Sequence, residues 1–209
     1  MLSDLFAAAR GPAVKSIPLF PLRTVLFPGG VLPLKVFEQR YVEMTKACMK
    51  EDRPFGVVTI ASGDEVAARG GIPAFANLGT LATITGWDMP ELGILHVTTA
   101  GGTRFQVREH RVQADQLVVA DVVDIPDEPR VPLPPDAKPL AQLLELIATR
   151  VGPQNFPAKH DYGDASWVGY RLAEVLPLPL SIKQSMLEIN DAAVRLKVLG
   201  QFLQQQGLV

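Results

Sequence analysis

The sequence predicts an α+β fold, with a partly open, barrel-like β-sheet over its first two thirds and helices over its last third. Three observations carry this expectation. In the first forty positions apolar residues cluster around prolines, as Ile17-Pro18-Leu19-Phe20-Pro21-Leu22, Leu26-Phe27-Pro28-Gly29-Gly30 and Leu32-Pro33-Leu34. Short β-branched segments punctuated by glycine then run as far as Pro126. Beyond a proline-rich stretch, apolar residues recur at helical spacing.

Proline removes a backbone donor and fixes φ, so the opening segment can pair only at sheet edges, strand starts or bulges, and it bends at Pro28-Gly29-Gly30. The spacing of Phe37, Tyr41, Met44 and Cys48 predicts a helix over Glu38 to Lys50, ending before Pro54. Phe55 to Ile60 reads as a strand, and Ser62 to Phe75, with three glycines and Pro73, as a long mobile loop. Thr80 to Thr85 and Ile94 to Thr99 form a hairpin with its tip over Asp88 to Gly93. Gly101-Gly102 then turns the chain into a strand at Arg104 to Val107, and Leu117 to Val122 supplies the last strand.

The predicted domains are an N-terminal tail over 1–14, the barrel over 15–126, a stiff proline-rich linker over 127–137 and the helical bundle over 138–209. In the bundle, Leu140, Leu143, Leu144, Ile147 and Val151 form one apolar stripe, closed by Gly152-Pro153. Asp164 caps a second helix with the stripe Ala165, Val168, Leu172, Val175 and Leu176. Ser181-Ile182-Lys183-Gln184 reads as a capping box. Asn190-Asp191 offers the cap of a final helix, with Val194, Val198, Leu199, Phe202 and Leu203 as its apolar stripe.

Among 209 residues, 47% are hydrophobic and 20% charged, the composition of a self-supporting globular chain. A formal net charge of −2 supplies no positive field for a phosphate backbone, so nucleic acid is not an expected partner. The single cysteine, Cys48, excludes an internal disulfide framework and fits a reducing, cytoplasmic setting. The opening residues lack the basic start of a secretory signal, and no apolar run approaches the ~20 residues that span a bilayer. No membrane association is expected.

The sequence lacks a phosphate-binding Gly-x-x-x-x-Gly-Lys-Ser/Thr loop and a Gly-x-Ser-x-Gly nucleophile elbow. His96, His110 and His160 show no zinc-ligand spacing, so neither a metal nor another cofactor is expected. Cys48 shares a helical face with apolar residues and reads as a small buried hydrophobe. Trp87, Met89, Pro90 and Leu92 lie near the hairpin tip, where polar residues are usual, and could meet a protein or pack on the helices. Trp167 and Tyr170 lie off their helix's main stripe, as candidates for a contact between domains.

Several ordered segments resemble the amino-terminal substrate-binding domain of the ATP-dependent protease Lon. They are Ile17 to Arg23 with Leu26-Phe27-Pro28-Gly29 and Leu32-Pro33-Leu34, Leu78 to Ile84, Arg104 to Val107, Leu172-Ala173-Glu174 with Leu176-Pro177-Leu178, Lys183 to Glu188, and Asp191 to Leu196. The resemblance implies a PUA-like β-barrel followed by a helical bundle, a role in recognising unfolded or degron-bearing polypeptides, and catalysis, if any, in a partner such as an ATP-dependent protease. The stretch Lys35 to Tyr41 departs from the family pattern, so substrate preference does not carry over. The same fold occurs in a ubiquitin-ligase receptor, whose zinc-bearing ligand domain has no counterpart in these residues.

The expected function is therefore a non-enzymatic protein-binding module or proteolysis adaptor. Its candidate contacts are Phe27, Phe37, Trp87, Met89 and Leu92 for apolar binding, with Arg40 and Arg104 for polar steering. The alternative is a small-molecule binder or enzyme using the crevice between barrel and bundle.

Overall fold

The computed structural model describes residues 13–62, 73–152 and 156–207. Its opening strand explains how two prolines enter a sheet. Strand β1 (Val14–Leu22) pairs antiparallel with β6 (Val118–Asp124) over Val14 to Leu19, then parallel with β3 (Phe55–Ser62) over Leu19 to Leu22. Each half of β1 thus has one registered neighbour, so Pro18 and Pro21 each lie where one side is free of a partner strand.

The remaining strands are β2 (Val31–Val36), β4 (Ala74–Glu91) and β5 (Ile94–Val112). Their order is β2-β5-β4-β3-β1-β6, and a further β5–β6 pairing makes the bonding run in a ring. The result is a mixed sheet curled on itself rather than a regular barrel. Beyond the ring, β2 and the far halves of β4 and β5 project as a three-stranded wing.

The hairpin turn is shorter than the expected tip over Asp88 to Gly93. β4 and β5 continue to Glu91 and from Ile94, with Leu92-Gly93 alone at the tip and Gly93 at φ +84°. Gly101-Gly102 does not turn the chain but lies within β5. A Cβ on Gly101 would stand 2.1 Å from the Phe27 carbonyl oxygen, so its need for glycine is close backbone approach. Gly29 and Gly101 are joined there by a 2.7 Å backbone hydrogen bond. Of the predicted loop over Ser62 to Phe75, residues 63–72 lie outside the described ones, as do residues 1–12 of the predicted tail.

Helix α1 (Gln39–Glu51) buries Tyr41, Met44 and Cys48 against the sheet, with Tyr41 stacked on Phe20 at 4.0 Å between ring centroids. Burial raises the Cys48 thiol pKa, as expected of a packing residue. Phe37 precedes the helix and is not part of that face.

Four helices form the second part: α2 (Lys138–Val151), α3 (Ala165–Val175), α4 (Leu180–Glu188) and α5 (Ala192–Gln205). Asp164 and Asp191 cap α3 and α5 by accepting from the first-turn amides, as their positions predict. The capping box at Ser181 does not form. The helix is capped two residues earlier, at Pro179, so α4 starts at Leu180, and Gln184 instead reaches the sheet, accepting from Thr59 at 2.7 Å and donating to the Leu78 carbonyl at 3.1 Å. On α5 the buried face is Ala192, Arg195, Leu196, Leu199 and Leu203, while Val194 and Val198 are exposed.

Sheet and bundle share their packing. The bundle core includes Val25, Phe27 and Leu78 from the sheet half together with Leu144, Val168, Leu172 and Leu199. The proline-rich segment is stitched to the bundle by Val131 N–H to Asp164 Oδ1 at 3.1 Å and Leu133 N–H to the Gly163 carbonyl at 2.8 Å.

Candidate functional site

The seven candidate side chains divide into two groups. Phe27 is fully buried in the bundle core, 5.8 Å from the Tyr170 ring, so it packs the two halves together instead of meeting a ligand. Arg104 is buried as well. It donates to the Leu187 carbonyl at 2.7 Å and stands 3.5 Å from Glu128, which makes it a strut between β5 and α4 rather than a surface cation. Arg40 is largely covered, pairing with Glu38 at 2.8 Å and donating to the Gln116 carbonyl at 3.0 Å.

The other four remain outside. Trp87 is 61% exposed, Phe37 55%, Met89 39% and Leu92 100%. The wing's register explains why they belong to one end of it. Val36 pairs with Leu95, Glu91 with Ile94, and Trp87 with Val97, so Phe37, Met89 and Leu92 all lie at or next to the last rungs before the tip. Neither the ring nor the bundle covers this end. The alternative that these residues pack on the C-terminal helices is therefore ruled out.

Beside Trp87 lies a groove of about 440 Å3, bounded by Met49, Asp52, Arg53 and Pro54 on one side and by Thr83 to Trp87 on the other. Met49 and Ile84 escaped sequence reading, since each looks like an ordinary core position on its element.

A separate polar cluster joins the two halves. Glu128, in the proline-rich segment, accepts from Ser166 and Tyr170 at 2.6 Å each, from Arg195 Nη1 at 3.0 Å, and from Arg195 Nη2. Burial opposes its charge, but the hydrogen bonds from Arg195, Ser166 and Tyr170 outweigh burial and hold its pKa below the ordinary value. The Arg195 guanidinium also lies 3.8 Å from the Tyr170 ring centroid, and burial pushes the Tyr170 phenol up. Tyr170 thus faces the junction, whereas Trp167 packs within the bundle against Phe156 and Tyr162.

Nearby, Arg171 stands 3.3 Å from Glu174 and donates to the Pro28 carbonyl at 2.9 Å. Burial raises the Glu174 pKa, with Arg171 and Lys183 opposing it. The barrel–bundle crevice is an open trough of about 970 Å3 lined by Leu78, Gln106, Arg108 and Glu188. The shifted carboxylates face their own partners and do not line that trough. Among the described residues there is no grouping of His, Cys, Asp and Glu suited to a metal ion.

The same order of segments is found in known proteins. The family model for the ATP-dependent protease La (LON) substrate-binding domain matches residues 16–205. The chain belongs to this family. It is 34% identical to a Lon N-terminal domain protein from Xanthomonas campestris, whose structure superposes with a TM-score of 0.72 over 88% of this chain and 96% of that one. A Lon protease from Cytophaga hutchinsonii is 28% identical over 90% of this chain, and a protein cereblon from Xenopus tropicalis 33% identical over 54%. This chain spans 24% of the length of each of these two relatives. The LON-domain match covers the wing, the ring and the bundle together. No helix among the described residues is long and apolar enough to cross a membrane.

Proposed function

We propose that this LON substrate-binding domain is a non-catalytic module that holds unfolded or degron-bearing polypeptide on its β2–β5–β4 wing, acting in the cytoplasm as an adaptor in proteolysis and alongside an ATP-dependent protease. One observation carries the reading: Phe37, Trp87, Met89 and Leu92 are exposed toward the end of the wing, while Val36, Leu95 and Val97 of the same strands are buried against α1. Large apolar side chains grouped in water at the end of one element mark a contact surface more often than chance exposure. Polypeptide that has lost its fold presents the matching apolar groups.

The test is a titration of the intact chain with a permanently unfolded, fluorescently labelled protein. Trp87→Ala and Met89→Ala are each expected to weaken binding about fivefold to tenfold, the range of a moderate interface anchor. Unchanged affinity in both variants would remove the wing from the proposal.

A further inference from the structure

The pairing of β4 is one-sided over half its length. β3 contributes its last partner at Phe55, opposite Ala82, and from Thr83 to Glu91 the registered pairing of β4 among the described residues is to β5 alone. The groove beside Trp87 is lined by five consecutive β4 residues, Thr83 to Trp87. Successive strand residues point to opposite faces, so a groove touching all five follows the strand's edge and not either face. It lies directly in line with β3.

We propose that this edge of β4 takes an uncharged, extended polypeptide segment as an added antiparallel strand continuing the line of β3, with one apolar side chain seated in the groove beside Trp87. The proposal rests on the polypeptide binding argued above and names its mode and substrate class. An exposed row of strand N–H and C=O groups is complemented by another extended backbone, which fixes the occupant's conformation. Met49, Pro54, Ile84 and Trp87 line the groove together with Thr83, Thr85 and Asp52, and Arg53 on its rim is already paired with Glu51 at 2.6 Å, so the seated side chain is an uncharged one that meets Met49, Ile84 and Trp87. The direction follows β3, which already runs antiparallel to β4.

The two outer edges of the wing also differ. β2 carries Pro33 and Lys35 within six residues, the devices that blunt an edge against pairing. The free stretch of β4 has no lysine; its charges Asp88 and Glu91, its proline and one of its two register shifts fall at Asp88 to Glu91, beyond the groove, and the other shift, at Ile84/Gly86, lies within it, so the proposed pairing is confined to Thr83 to Trp87.

The experiment uses the full chain and labelled eight-residue peptides of valine, leucine, threonine and alanine, followed by fluorescence anisotropy. Two derivatives carry backbone N-methyl groups on alternate residues, one set along each edge of the peptide. One derivative is expected to bind about tenfold or more weakly than the parent, because up to four backbone hydrogen bonds to β4 are lost, and the other within about twofold of it. A lysine or glutamate at the central position is expected to weaken binding similarly. Equal affinity of both methylated sets and the parent would overturn strand addition. If unfolded protein still bound in that case, the wing's general role would stand and only this mode would fall. If neither peptide nor unfolded protein bound, both would fall.

Discussion

At the junction between sheet and bundle three arginines and a glutamate are withdrawn from water, while at the end of the wing four large apolar side chains are left in it. Each region inverts the usual distribution, and each does so for its own reason. The junction must fix one half of the chain against the other in a single arrangement, and directed hydrogen bonds specify position where apolar contact alone would allow sliding. The wing takes no part in the bundle core, so its tip can be apolar without a packing partner. The contrast teaches that stability and binding rest on different residues here.

The comparison breaks most readily at the junction. Phe27→Ala is expected to cost about 3–5 kcal/mol of unfolding free energy, read from urea denaturation, because the ring fills space shared by both halves and little around it can collapse. Glu128→Ala is expected to cost a similar amount, about 3–5 kcal/mol, by leaving Arg195 and Arg104 charged and buried without their carboxylate. A double replacement, Glu128→Leu with Arg195→Met, should recover part of that loss. If Glu128→Ala unfolds like the wild type, the junction is not the lock described.

Acid sharpens the same point. Glu128 has a folded pKa below its unfolded value, so its contribution is fully present above the ordinary carboxylate pKa of about 4.5 and is lost as pH falls through the lower, folded value. Glu174 runs the other way. Its folded pKa is raised, so its contribution is present below about pH 4.5 and declines as pH rises through the higher, folded value. Glu128→Gln should therefore flatten the acid limb of the stability profile, and Glu174→Gln should add stability toward neutral pH relative to the wild type's acid reference. Urea midpoints measured between pH 3 and pH 7 check both, and parallel profiles for all three proteins would refute the assignment.

The sequence made the frame legible because its signals are local. Proline spacing placed the opening strands, Asp164 and Asp191 stood directly before apolar periodicity, and Cys48 shared a face with Tyr41 and Met44. What it concealed is long-range. Phe27 looked available next to Pro28-Gly29, yet the bend delivers it into a core built mainly of residues more than a hundred positions later. Gly101-Gly102 looked like a turn because glycine serves both turns and close approach, and only the neighbouring Phe27 carbonyl decides between them. The polar junction did leave a trace. Arg195 falls at i+3 from Ala192 and before Leu196 and Leu199, and Arg171 falls next to Leu172, each a cation on an apolar stripe with no reason to be there unless an acid awaits it.

The smallest expected effect on stability tests the other side of the comparison. Leu92→Ser and Phe37→Ser remove side chains that are 100% and 55% exposed. Their folded-state contacts are few, so each should leave the urea midpoint within about 0.5 kcal/mol of the wild type. Their effect on affinity for unfolded polypeptide should be separable from stability, falling several-fold for the pair at unchanged unfolding free energy. Leu92 alone is expected to matter less than Trp87, because the tip lies beyond the groove and its contacts add area without a pocket to exclude water. A loss of stability in either variant would mean that the tip packs against the fold after all, and the division between a locking junction and a grasping wing would not hold.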